Sequence, residues 1–271
     1  MSELPSGERR FEGRRILITG ASRGIGAAMA RRLAEDGADL AIVARTLDHH
    51  PTLPGSLNEV AADLRVSGAT VGVIVADLTD PYDRSRIVPE AEAALGGTVD
   101  VLVNNAAAAI YQPLADFPLR RRRLTFEANV HAPVDLAQAV IPGMVEQGEG
   151  WILNLSSASA HHAEGPPFKE SEVGSTIAVY GGSKAALNRI SNGLAQELFG
   201  TGVRVNTVEP RAAVMSEGAE ALVGGKVDAS LVETMAEMVE AAVALCDCPA
   251  DLTGRTVVSL DLIAEWGLEP G

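Results

Sequence analysis

Seven short runs rich in Val, Ile and Leu punctuate the chain: RILIT (15–19), DLAIVA (39–44), TVGVIVA (70–76), VDVLV (99–103), WILNLS (151–156), VRVNTV (203–208) and RTVVSL (255–260). Their apolar residues are nearly continuous rather than alternating, the pattern of strands buried on both faces. Ala-rich stretches of helical periodicity separate them. Strand and helix in alternation predict a parallel sheet covered on both sides, wound by right-handed crossovers, with its ligand site at the carboxyl ends of the strands. Leu231, Met235, Met238, Ala242 and Leu245 mark one such helix over 227–246, with the Met residues as core filler.

No repeat, low-complexity tract or interdomain linker interrupts this pattern. The 271 residues sit near the upper end of single-domain length, roughly 250 to 300 residues, so 1–271 reads as one domain with a flexible start over 1–10. Pro and Gly clusters mark loops at 51–55 and 163–175. A net charge of −14, from 36 acidic and 22 basic side chains, repels polyanions and argues against nucleic acid or an anionic membrane as partner. The Arg120 to Arg123 run reads as a solvated or subunit-facing surface, and His49-His50-Pro51 as a loop. Cys246 and Cys248 are too few for a disulfide framework or a zinc site, and His161-His162 has no third ligand, so no metal is expected. A reducing cytoplasm fits this cysteine usage. No apolar stretch reaches the ~20 residues that span a bilayer.

After the first strand comes Thr19-Gly20-Ala21-Ser22-Arg23-Gly24-Ile25-Gly26, followed by a helix that Gly37 ends. In this context Gly20 allows the tight turn, Gly24 lets a pyrophosphate approach the backbone, and Gly26 lets the helix pack on the sheet, with the helix N-terminus facing the anion. TGASRGIG resembles the cofactor motif of the short-chain dehydrogenase/reductase family. The landmarks Asp77-Leu78, Asn104-Asn105-Ala106, Asn129, Ser156-Ser157, Tyr180-Gly-Gly-Ser-Lys184 and Pro210 follow in the family's order, so the resemblance spans 11–261.

The resemblance implies a Rossmann-like, doubly wound α/β fold with a seven-stranded parallel sheet and helices on both faces, assembled as a homotetramer or dimer. It implies a cofactor site of Gly20, Ser22, Arg23, Gly24, Ile25, Gly26, Arg45, Asp77, Leu78, Asn104, Ala106, Tyr180, Lys184 and Pro210. Asp77 would accept from the adenine amino group. The end of the second strand, Ala44-Arg45, carries no acid that would repel a 2′-phosphate, and Arg23 and Arg45 place two guanidinium groups there, so NADP(H) is expected over NAD(H).

The resemblance also implies catalytic roles for Asn129, Ser157, Tyr180 and Lys184. Tyr180 and Lys184 are four residues apart on one helical face. A free phenol titrates near ~10, and a nearby ammonium lowers that value. Tyr180 would protonate a carbonyl oxygen in reduction and act as base in alcohol oxidation. Ser157 is preferred over its neighbour Ser156 because the family's serine is usually the second of such a pair. Pro133 lacks an N–H for the Asn129 carbonyl four residues earlier, so the helix should kink there and leave that carbonyl free; in the family the corresponding carbonyl holds a water linked to the lysine.

Three positions depart from the family pattern. Ala107 and Arg211 replace glycines, and Met215 stands where a threonine often meets the nicotinamide carboxamide. The insert 161–176, between Ser157 and Tyr180, either forms a substrate wall or lid, with His161, His162 and Phe168 as contacts, or is a surface excursion. The expected activity is NADP(H)-dependent interconversion of a small-molecule carbonyl and a secondary alcohol. A 3-oxoacyl thioester reductase and a non-catalytic nucleotide-binding regulator on the same fold are the alternatives.

Overall fold

The computed structural model describes residues 9–170, 173–214 and 232–271. All seven predicted strands are present: β1 (Arg15–Thr19), β2 (Asp39–Ala44), β3 (Val71–Val75), β4 (Val101–Asn104), β5 (Gly150–Leu155) and β6 (Val203–Glu209) are followed by a small ribbon, β7 (Ala213–Val214) with β8 (Val232–Glu233), and then by β9 (Thr256–Val258). The main sheet is parallel throughout, in the order β3-β2-β1-β4-β5-β6-β9. Strand order reverses between β1 and β4, the switch point at which a doubly wound sheet leaves a crevice for ligand.

The helices are α1 (Gly24–Glu35), α2 (Leu57–Val66), α3 (Pro81–Leu95), α4 (Leu119–Phe126), α5 (Ala132–Gln147), α6 (Ala178–Glu197), α7 (Met235–Leu245) and α8 (Ser259–Trp266). Successive strand residues point to opposite faces, and both faces are covered. Ile16, Ile18, Leu40 and Ile42 pack with Met29, Leu33, Leu57 and Met238 of α1, α2 and α7, whereas Leu17, Ala41 and Val43 pack with Ile87, Leu136 and Val140 of α3 and α5. This two-sided burial is why the strands read as unbroken apolar runs. No helix among the described residues is long and apolar enough to cross a membrane.

Two elements are shorter than their sequence pattern. The last strand stops at Val258 because Ser259 and Leu260 already belong to α8. The helix expected over 227–246 spans 235–245, its start set by a capping box in which Thr234 and Glu237 satisfy each other's backbone N–H groups; Leu231 lies outside the described residues. A third difference concerns Pro133. Where the kink is expected, Glu127–His131 forms a π-helical turn between α4 and α5, in which Ala132 N donates to Glu127 O five residues back. The wider turn joins α4 to α5 just before Pro133, where the N–H is missing.

Candidate active site

A cavity of about 990 Å³ opens at the carboxyl ends of β1, β4, β5 and β6, and Gly20, Ser22, Arg23, Gly24 and Ile25 form one wall of it. Gly20 has φ +69°, and a Cβ there would lie 2.8 Å from both Ala106 Cα and Asn105 Nδ2. Gly26 sits behind the wall: a Cβ on it would be 2.4 Å from Asn105 Nδ2 and 2.6 Å from Gly20 O. The bare glycine lets Asn105 Nδ2 donate to Thr19 O (2.9 Å) and Gly20 O (3.2 Å), which locks the turn to the end of β4.

Of the two adjacent asparagines, it is therefore Asn105 that meets the glycine turn. Asn104, expected at the cofactor, is buried outside the cavity lining and donates from Nδ2 to Asn154 Oδ1 at 2.9 Å, because its side chain faces along the sheet toward β5. Ala106 and Ala107 both line the cavity, as do Asp77, Leu78 and Pro210. Asp77 Oδ1 also accepts from the backbone and hydroxyl of Thr79, each at 2.9 Å, so it shapes its own turn as well.

At the end of β2, Ala44 and Arg45 line the cavity. Arg45 is exposed and makes no hydrogen bond or ion pair with any described residue. Arg23 is differently employed: Nε donates to Pro54 O at 2.8 Å and Nη2 to Gly55 O at 3.0 Å, pinning the 47–55 loop against the glycine turn. That loop brings His49, His50, Pro51 and Leu53 into the cavity wall, a placement the bare His-His-Pro pattern did not reveal. His50 Nδ1 accepts from the backbone N–H groups of Thr52 and Leu53, which shapes the loop from within.

Ser157, Tyr180 and Lys184 face the same cavity from its other end. Tyr180 is only 8% exposed. Its ring stands edge-on to that of Tyr111, 5.5 Å away at 65°. Burial pushes the phenol up to about 12, the neighbouring Tyr111 adds to the rise, and the nearby Ser157 hydroxyl works against it. Lys184 is also buried; its Nζ donates to Leu155 O at 2.6 Å, and burial lowers its pKa to about 8. The lowering of the phenol expected from Lys184 is absent: that residue is not among the groups that shift it, and desolvation sets the direction. The phenol is protonated at neutral pH.

Asn129 is fully buried outside the cavity lining. Its Oδ1 accepts from Ala108 N at 2.7 Å, and its Nδ2 donates to Ala108 O at 3.2 Å and Ser183 Oγ at 3.0 Å. Ser183 Oγ in turn donates to Tyr180 O at 2.6 Å. The side chain therefore clips the chain after β4 to the turn of α6 that carries Tyr180. Arg211 turns away from the cavity, with its backbone N–H on Glu233 and its guanidinium on Asp261, tying the β7–β8 ribbon to α8. Met215 lies outside the described residues.

None of the three insert residues expected at the substrate lines the cavity. The imidazole of His161 is drawn to the carboxylate of Glu209, which is 1% exposed and needs a partner at the end of β6. The Phe168 ring packs on Gly165 in an exposed loop, and His162 is exposed. The wall near Tyr180 is built instead by Ala107, Ala108, Ala109, Tyr111, Leu124 and Ala128. No group of three His, Cys, Asp or Glu side chains among the described residues is arranged to hold a metal.

These features fit a bound dinucleotide. The cavity is at the upper end of ligand-pocket volumes, roughly 300 to 1,000 Å³, the Gly20 cradle admits backbone approach, and the buried Oγ of Ser156, a residue of the cavity wall, has no partner among the described residues. The comparisons with known proteins agree. The family model for short chain dehydrogenases matches residues 14–224. Hydroxysteroid dehydrogenase-like protein 2 of Danio rerio is 32% identical over 262 residues, covering 96% of this chain and 60% of that protein. The mouse protein of the same name is 31% identical over 260 residues, covering 96% of this chain and 51% of that one. The chain thus spans only about half to three-fifths of the length of these relatives. Among solved structures, a short chain dehydrogenase from Mycobacterium thermoresistibile superposes with a TM-score of 0.80 at 28% identity, covering 96% of this chain and 92% of that one. One from Burkholderia cenocepacia in complex with NADP gives 0.76 at 29%, covering 92% and 96%. Fold, glycine turn and the Ser157–Tyr180–Lys184 cluster converge with these matches: the chain belongs to the short-chain dehydrogenase family.

Proposed function

We propose that the chain interconverts a carbonyl and a secondary alcohol with NADP(H) as cofactor. The observation that carries this reading is that a protonated, buried phenol shares one cavity with Ser157 and with a glycine turn built for a dinucleotide. A nicotinamide bound there supplies hydride to the carbonyl carbon, or accepts it in the reverse direction. Tyr180 gives its proton to the carbonyl oxygen, so that hydride on carbon and proton on oxygen together make the alcohol. Ser157 donates a hydrogen bond to the same oxygen and orients it. Lys184, held by Leu155 O, keeps a positive charge near the phenol below about pH 8, which favours the phenolate left after proton transfer. Asn129 acts from behind, holding Ala108 and α6 in register.

Cofactor preference rests on Ala44 and Arg45. The strand end carries no carboxylate to repel a 2′-phosphate, and the Arg45 guanidinium is uncommitted. The NADP found in the Burkholderia cenocepacia structure supports the same choice.

The test is a screen of NADPH consumption across ketones, quinones, acyl thioesters and, with NADP⁺, secondary alcohols. Turnover of at least one carbonyl compound is expected, lost in Tyr180→Phe with NADPH affinity within about twofold of wild type. Retention of most activity by Tyr180→Phe would remove the phenol from the chemistry.

A further inference from the structure

His50 Nδ1 receives two backbone N–H groups at once, from Thr52 at 3.2 Å and from Leu53 at 3.1 Å. A neutral imidazole has one nitrogen that accepts and one that donates, whereas an imidazolium has two donors and no acceptor. The two donors aimed at Nδ1 therefore assign the ring its neutral form, with the proton on Nε2. The pattern is that of an Asx turn, in which an Asn or Asp oxygen accepts from the backbone two residues on. Here Pro51 follows, and a ring nitrogen takes the oxygen's place.

Those two bonds hold the tip of a thinly supported loop. Its base is fixed from outside, by Arg23 on Pro54 O and Gly55 O and by the close approach of Gly55, where a Cβ would lie 2.5 Å from Ser22 O. From 49 to 53 the two bonds to His50 are the loop's hydrogen bonds among the described residues. A cavity of about 420 Å³ lined by 48–55 and Glu59 leaves open space against the tip. His49, His50, Pro51 and Leu53 nonetheless form part of the wall of the large cavity.

We propose that His50 is a positioning residue for the dinucleotide, holding the 50–53 wall of the cavity through an acceptor that a second proton on the ring removes. Protonation puts the added hydrogen on Nδ1, where the lone pair was, and sets it against the N–H groups of Thr52 and Leu53. Both bonds are lost and the tip is released. The charged and titratable groups around the ring are Asp48 and His49 on the loop itself, Glu59 on α2, Arg23 of the glycine turn, Arg45 at the end of β2 and Asp77 after β3. None of them makes a hydrogen bond or ion pair with the ring, and Asp48 accepts from Asn58 Nδ2 at 2.6 Å instead. A carboxylate in place of the imidazole would keep the turn over a wider pH range, but would set a negative charge in a wall that faces an anionic ligand. The role in binding rests on the dinucleotide reading above, but the state of the ring does not.

The chain has five histidines, and in protein labelled with ¹⁵N in the imidazole ring the His50 signals are those lost in His50→Asn. At about pH 8 they should show a proton on Nε2 and none on Nδ1. Lowering the pH from about 8 to about 5, the range in which imidazoles titrate, should shift the Thr52 and Leu53 amide resonances in the wild type. The same amides should stay in place in His50→Asn, whose Oδ1 accepts from them without titrating. A proton on Nδ1 in the starting state, or amides that move equally in both proteins, overturns the proposal. Binding is read with NAD⁺, because the 2′-phosphate of NADP⁺ itself titrates near ~6. Acidification over this range should weaken NAD⁺ binding about tenfold more in the wild type than in His50→Asn, since other titrating groups act alike in both proteins. His50→Ala should bind about tenfold more weakly than the wild type already at about pH 8, and His49→Asn should keep the wild-type pH dependence. Full affinity in His50→Ala, or an equal acid loss in His50→Asn, also overturns it. The expected ring state and shifting amides in a protein that binds neither NAD⁺ nor NADP⁺ would uphold the turn and defeat the dinucleotide reading instead.

Discussion

Lys184 Nζ donates to Leu155 O across 2.6 Å, so the ammonium of the candidate site is held by a strand-end carbonyl and not by a carboxylate. A single neutral acceptor does not replace the hydration lost on burial, and the pKa falls from 10.5 to about 8.

The sign of the consequence follows from proton counts. Between about pH 8 and the unfolded value of 10.5, the unfolded chain holds a proton that the folded chain has released, so stability should rise with pH across that window. The full effect is on the order of 3 kcal/mol. Urea denaturation at several pH values should show this rise in the wild type and its absence in Lys184→Met, which is more stable below about pH 8 because no charge is buried. Tyr180 works the other way above its unfolded value of 10.0, where its raised pKa makes the folded chain hold the extra proton. Parallel pH curves for the two proteins would contradict the burial penalty.

Arg45 and Arg23 should separate selectivity from loop order. Arg45→Asp is expected to lower NADPH affinity by about ten- to hundred-fold while sparing or improving NADH affinity, since it replaces an uncommitted guanidinium with a repelling carboxylate. Arg23→Ala removes the donors to Pro54 O and Gly55 O, and the 47–55 loop forms part of the wall whichever cofactor is bound. Both affinities should therefore fall together. Fluorescence titration of each variant with the two cofactors checks both statements, and a pure selectivity change in Arg23→Ala would return that residue to the phosphate.

How much of this was readable beforehand depends on the range of the contacts involved. The strands and the glycine turn are written in local periodicity and in residues two to six apart, and all of them are where the pattern places them. Asn104 and Asn105 are adjacent, and the direction each faces is decided by Asn154, fifty residues on, and by the bare backbone of Gly26. His161 could be seen as a polar residue near the serine pair, but its partner Glu209 is 48 residues away. Pro133 announces a disturbance of the helix, yet the π turn found there goes with Asn129 being held by Ala108 and Ser183 at once. Tyr111 carries no local signal, because its meaning comes from a ring that meets it only in the folded chain.

Gly26 offers a test of the wall's geometry. In Gly26→Ala the new methyl would stand 2.4 Å from Asn105 Nδ2 and 2.6 Å from Gly20 O. Asn105 can swing aside, but Gly20 O is backbone and belongs to the turn itself. The substitution should cost about 1 to 3 kcal/mol of stability, the usual range for overpacking, and should lower dinucleotide affinity at least about tenfold by moving the turn. Thermal unfolding and NADPH titration on the same sample give both numbers; unchanged affinity in a destabilised protein would mean that the turn does not touch the cofactor.

The substrate wall is where the fold departs most from the pattern of the insert. Phe168 is 54% exposed on a loop outside the cavity, whereas Tyr111 lines the cavity with its ring edge-on to Tyr180 at 5.5 Å. The two segments meet near their ends, where Gln112 N donates to Thr176 O at 3.1 Å. Truncating Phe168 should thus leave the KM of any carbonyl substrate within about twofold. Tyr111→Ala should raise KM about tenfold or more, since it removes an aromatic contact surface beside the reacting oxygen. Tyr111→Phe should restore KM if packing of the ring is what matters, and should not if the hydroxyl is what the substrate meets. NADPH affinity should be unchanged in all three variants, because neither residue belongs to the glycine turn or the end of β2. A Phe168→Ala enzyme with a raised KM and a Tyr111→Ala enzyme without one would make the insert the substrate wall after all.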